Sequence, residues 1–136
     1  SNAAQSIFSR GTFPDLDTAI KTYQYYTKHD PDFKKTYFML FESRAGEMFL
    51  IDCDNDSERY GMILFHDVSL LVSPKVITTM YDSISTFSKS IIECYREGIY
   101  KFEHTDVGMI LNVDFEAEAV LSKRLNQKSK IWKYFF

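Results

Sequence analysis

Cysteine, proline and glycine are scarce in this chain: two, three and five among 136 residues. The lone cysteines, Cys53 and Cys94, form no framework of bridges, and without an export signal they are expected reduced and buried. No C-x-x-C or H-x-x-x-H pair joins them to His66 or His104, so a zinc site is not expected. The glycines stand singly, which excludes the glycine-rich turn that cradles phosphate, and no Gly-x-Ser-x-Gly elbow offers a serine nucleophile. Apolar runs stop after four or five residues, so none is long enough to span a bilayer. Charge of one sign is also lacking. A formal net charge of −3 does not provide the basic face of a nucleic-acid binder. These exclusions point to a cytosolic chain that needs no cofactor and binds neither nucleic acid nor membrane.

Aromatic residues, at 16%, supply what is plentiful. Ser1-Asn2-Ala3 reads as a remnant of tag removal, leaving residues 4–136 as one domain. Phe13-Pro14-Asp15 opens a helix, with Pro14 suited to its first position and Asp15 and Asp17 to the positive end of its dipole. Leu16, Ala19, Ile20, Tyr23 and Tyr26 recur at helical spacing, and Pro31 stops the pattern. Residues 37–41, 48–51 and 62–65 then have strand character, separated by polar turns short enough to make the pairing antiparallel.

These strands do not alternate apolar with polar residues. Continuous runs imply burial on both sheet faces, and one helix covers only one face. The other must be covered by a second helix, a second copy of the chain, or a partner. A helix over residues 82–97 carries Ile84, Phe87, Ser88, Ile91 and Tyr95 on one side, and Gly98 is placed to cap it. Residues 99–102 and 109–113 predict further strands. Asp114 caps a last helix with Ala117, Val120, Leu121 and Leu125 inward. The class is α+β, an antiparallel sheet of four to six strands with helices packed against it.

Asp52, Asp54 and Asp56 mimic the opening of a calcium loop. Ser57 replaces its turn glycine, however, and Ile63 its bidentate glutamate, so a polar hairpin loop is expected instead. Nearby carboxylates such as Glu42 and Glu47 carry no further signal. The candidate contacts for a partner are the acidic side chains Asp54, Asp56 and Glu58, which would steer a basic surface, together with His66 and Trp132. His66 ends a strand, where a hydrogen-bonded role is expected over that of a general base. Trp132 lies in a C-terminal run of bases and aromatics; its Ile131, Trp132, Phe135 and Phe136 are expected to fold back over the open sheet face.

Gly46-Glu47 opens a strand ending in Asp52. Gly61 opens a second, Met62-Ile63-Leu64-Phe65, which ends in His66-Asp67, and Asp82-Ser83-Ile84-Ser85-Thr86-Phe87 begins the helix that follows. This order over residues 46–92 resembles the SMI1/KNR4 (SUKH) superfamily, with Ile84 where the family has a phenylalanine. The family's Leu-Pro, aromatic-rich helix and Asn-Gly turn have no counterpart before Tyr37. The resemblance implies a non-catalytic protein-binding domain, immunity-like, that neutralises a cognate bacterial toxin such as a basic nuclease by stoichiometric binding. Two alternatives remain: a scaffold that self-associates as a homodimer, and a small hydrolase using Asp52 and His66.

Overall fold

A computed structural model describes residues 6–43, 45–67 and 77–134. Helix α1 (Leu16–His29) begins where the Asp15 carboxylate accepts the Thr18 amide at 2.7 Å, leaving Pro14 just outside the helix rather than at its first position. Strands β1 (Tyr37–Glu42), β2 (Glu47–Asp52), β3 (Ile63–Asp67) and β4 (Thr78–Tyr81) form one antiparallel sheet in that order. Helix α2 (Ile84–Arg96) follows, then strands β5 (Tyr100–Thr105) and β6 (Gly108–Val113), helix α3 (Phe115–Leu125) and a 3-10 turn at Ile131–Tyr134. Among the described residues the last two strands pair only with each other, so the expected sheet has four strands and the remainder forms a separate hairpin.

Both faces of the sheet are buried, as the continuous runs require. Leu50 and Leu64 point to one side, where they join Met39, Met48, Phe33 and the Ala19 face of α1. Phe49 and Ile63 point to the other, where Phe87 of α2, Ala119 and Leu121 of α3, and Trp132 cover them. The second cover is therefore α1 of the same chain, and neither a second copy nor a partner is required for it. Rings dominate the α2 side. Phe41 stacks on Phe49 at 4.4 Å and on Phe87 at 5.2 Å between centroids, and Phe8 meets Phe41 edge-on at 4.6 Å. Each such pair contributes about 0.5–1.5 kcal/mol beyond its buried area.

Local chemistry sets the helix ends. Ser83 and Thr86 exchange hydrogen bonds in a capping box at the start of α2. At its end Gly98 takes a φ of 70°, the Ile99 amide reaches the Cys94 carbonyl at 2.8 Å, and the Gly98 amide reaches Tyr95. That pair of bonds is a Schellman cap, and the left-handed turn favours glycine at its centre.

The inward stripes differ from expectation. In α2, Ser90 and Cys94 are buried with Phe87, whereas Ile84 and Ser88 are exposed. Ser90 tolerates the interior because its hydroxyl donates to the Thr86 carbonyl and accepts from Asn126. In α3, Glu118, Ala119, Leu121 and Ser122 face inward while Val120 is exposed. In α1, Leu16 and Ile20 lie at the surface and Ala19, Tyr23 and Tyr26 make the contact. Cys94 is buried but Cys53 is exposed, correcting the expectation that both are interior; both are free thiols.

An N-terminal strap, residues 6–12, crosses the α2 side. Phe8 enters the core and Thr12 exchanges backbone bonds with Glu42 at the end of β1. Gly11 allows that approach: a Cβ there would sit 2.3 Å from the Glu42 carbonyl oxygen.

Candidate interaction surfaces

The acidic connection between β2 and β3 is a braced loop. Asp52 is buried, and its carboxylate accepts the Asp54 amide at 3.0 Å and the Ser57 hydroxyl at 2.7 Å. The Asp54 carboxylate accepts the Asp56 amide in the same way. Two of the acids thus build the turn. Asp56 and Glu58 are exposed and Asp54 is half-buried. Arg59 donates to the Ile77 carbonyl at 2.7 Å, anchoring the loop against the chain entering β4. Among the described residues no group of three His, Cys, Asp or Glu is disposed to hold a metal ion.

His66 and Trp132 are placed elsewhere. His66 is fully buried, with Nε2 3.2 Å from Asp30 Oδ2, so it ties the end of α1 to β3. Trp132 is fully buried too: its indole N–H donates to the Met80 carbonyl at 2.8 Å and its ring meets Tyr81 edge-on. Neither side chain presents a surface, because each completes the core, and both are withdrawn as contacts for a partner. Ile131 packs beside Trp132 on the α2 side, so this segment roofs the face already under α2 and not the second one; Phe135 and Phe136 lie outside the described residues. The pairing of Asp52 with His66 also fails. His66 stands opposite Met48, four positions along β2 from Asp52, which separates them by about 13 Å.

A cleft lies between the strap and the β5–β6 hairpin. It measures about 870 Å³ and is lined by residues 6 and 8–12, Glu42 and Ser43, the β6 residues Met109, Ile110, Leu111 and Val113, and Val107 and Phe115 beside them. Behind its strap wall sits a polar cluster that sequence reasoning missed. Glu118 is 1% exposed; its Oε1 accepts Arg10 at 2.8 Å, and its Oε2 accepts the hydroxyls of Ser9 and Tyr100. The Arg10 guanidinium lies 5.5 Å from the ring centroids of both Phe115 and Trp132. Burial, reinforced by the Glu118 carboxylate, pushes the hydroxyls of Tyr100 and Tyr81 far above their ordinary range. The same two causes push the Cys94 thiol up to about 12. The cluster therefore keeps these three groups protonated while Glu118 compensates Arg10. It fastens the strap to β5 and α3.

The hairpin exposes apolar side chains, several of them in the cleft wall. Val107 at its tip is 91% exposed, and Phe102, Met109 and Ile110 lie at 40–44%; Phe115, at the start of α3, is 52% exposed. The fold and its surfaces define an α+β domain in which a four-stranded sheet lies between α1 and the α2–α3 pair, with the β6 strand of a separate hairpin beside a cleft. Compared with family models, curated proteins and solved structures, the chain matches none. No helix among the described residues is long and apolar enough to cross a membrane.

Proposed function

We propose that the chain is a non-catalytic protein-binding module of the immunity type, which neutralises a cognate bacterial toxin in the cytosol by stoichiometric association. The observation that carries this reading is the β5–β6 hairpin, which exposes Phe102, Val107, Met109 and Ile110, the last three lining the cleft. Exposed apolar side chains along a cleft suit a macromolecular partner, because docking removes them from water. Charge supports the same reading. Asp56 and Glu58 stand exposed on a braced loop, where they would steer a basic partner such as a nuclease. The segment that resembles the SUKH superfamily, residues 46–92, includes the adjacent strands β2, β3 and β4 and much of α2.

Co-expression tests it. The chain is expected to restore growth to cells producing the toxin encoded beside its gene, and to co-purify with that toxin in a one-to-one complex. A gene neighbourhood without a toxin, together with no protection, would defeat the proposal.

A further inference from the structure

Among the described residues strand β6 is bonded on one side only. Its two-residue turn, Asp106-Val107, makes Thr105 and Gly108 the first bonded pair of the hairpin. By alternation Glu103–Ile110 and Lys101–Asn112 are bonded pairs as well. The amides and carbonyls of Met109, Leu111 and Val113 consequently point away from β5. Among the described residues no backbone hydrogen bond from outside the hairpin reaches them. They point toward the cleft: Met109, Ile110 and Leu111 all line it, although successive residues of a strand face opposite ways. Three neighbours in one wall mean that the wall is the strand's edge.

That edge has none of the features that keep edges from pairing. Residues 108–113, Gly-Met-Ile-Leu-Asn-Val, hold no charge and no proline, and no bulge breaks their register with β5. The edge is long enough for one added strand to pair along it: six residues at about 3.4 Å each run about 20 Å. Charge narrows the choice further. The charged side chains lining the cleft are Arg10, compensated by Glu118, and Glu42, which has no cationic partner among the described residues.

We infer that the cleft takes an extended segment of a partner protein, which adds to β6 as a third strand, with apolar residues at alternate positions and a Lys or Arg facing Glu42. This inference rests on the protein-binding reading above and names the element of the partner that is bound. Backbone pairing would supply the affinity and the Glu42 contact the selectivity.

The probe is a phage-displayed library of short randomised peptides panned against the whole chain. Enriched peptides are expected to alternate apolar residues around a basic one, and to lose affinity to E42Q. They are expected to bind Leu111→Pro about tenfold more weakly, since proline there removes an outward N–H but no hairpin bond. Met109→Lys, which places a charge at the edge without altering the backbone, is expected to weaken them similarly. Amide exchange gives a readout on the unaltered chain: bound peptide should slow Met109, Leu111 and Val113, whose amides are free, more than Ile110 and Asn112. The inference is overturned if no peptide is enriched, if those three amides stay unprotected, or if both variants bind as the wild type does. It is equally overturned if the free chain dimerises through this edge and Met109→Lys abolishes the dimer. Should both variants still protect cells from the toxin, the cleft is not the interface while the binding-module reading stands; failure of the wild type to protect defeats that reading itself.

Discussion

Glu118 is the residue whose surroundings determine most about this chain. A carboxylate at 1% exposure is tolerated because Arg10, Ser9 and Tyr100 together satisfy it. Removing it takes from the Arg10 guanidinium a buried carboxylate at 2.8 Å, and from Ser9 and Tyr100 the acceptor of their hydroxyls. Glu118→Ala is expected to cost about 3–5 kcal/mol in urea unfolding, and Glu118→Gln, which keeps the shape and part of the bonding, about 1–3 kcal/mol. Equal losses would show that volume and not charge matters there. The sequence gives little warning of this, because Glu118 reads as an acid suited to the start of a helix and Arg10 lies far away in the chain. Trp132 is legible in part. Its return onto the sheet is expected and occurs, but as a fully buried ring with its N–H on the Met80 carbonyl it offers no contact to a partner. Alkaline pH probes the same interior. Burial raises the Cys94 thiol from 9.0 to about 12, so above pH 9 the unfolded chain releases a proton that the folded chain retains. Stability is therefore complete below pH 9 and declines as pH rises from 9 toward 12. Tyr100 and Tyr81 act in the same direction at higher pH. Cys94→Ala should delay the onset of the decline in melting curves recorded across this range.

At the scale of elements, type and order are legible from pattern, while the inward face of each helix is not. Runs of four apolar residues announce β2 and β3; Asp114 is legible as the cap of α3, whereas α1 and α2 begin slightly later than Pro14 and Asp82 suggest, after caps at Asp15 and Ser83. The face of α2 goes astray because the helix packs on α3 as well as on the sheet. Ser90 turns toward Asn126 while Ile84 and Ile92 remain exposed. Asn126 is the fully buried joint that fixes this arrangement. Its side chain donates to Ser90 Oγ at 3.1 Å and to the Ser122 carbonyl at 2.9 Å, and it accepts the Asp82 amide at 3.0 Å. One amide thus links the end of β4, the middle of α2 and the last turn of α3. Asn126→Leu leaves the Asp82 amide and the Ser90 hydroxyl without that partner, and is expected to cost about 2–4 kcal/mol. Asn126→Asp retains the acceptor and loses the donor, so it should fall between Leu and wild type in chemical denaturation. A ranking with Asp worse than Leu would mean that the buried charge outweighs the bond it preserves.

For the molecule as a whole, the deciding question is what covers the second face of the sheet, and the chain answers it from within. Tyr37, Met39, Met48, Leu50 and Leu64 lie under α1, with Ala19 the buried contact on the helix and Tyr23 and Tyr26 packed around it. The homodimer scaffold drew its physical motive from a face needing an outside cover. With α1 in place the free chain is expected to sediment with a single-chain mass. The cover is thin, however: α1 buries one small residue where α2 and α3 bury several. A charge at that point has no counter-ion within the cluster and no route to water while α1 stays docked. Ala19→Asp should therefore lift α1 and expose the methionines and leucines beneath it. The expected signature is increased binding of a hydrophobic dye together with concentration-dependent association, as the uncovered face finds other copies. Ser88→Asp, on the exposed side of α2, adds the same charge without touching either core and should stay monomeric. If Ala19→Asp remains a monomer that binds no dye, α1 does not hold that face closed, and the two-sided burial inferred from the apolar runs of β2 and β3 has another cause.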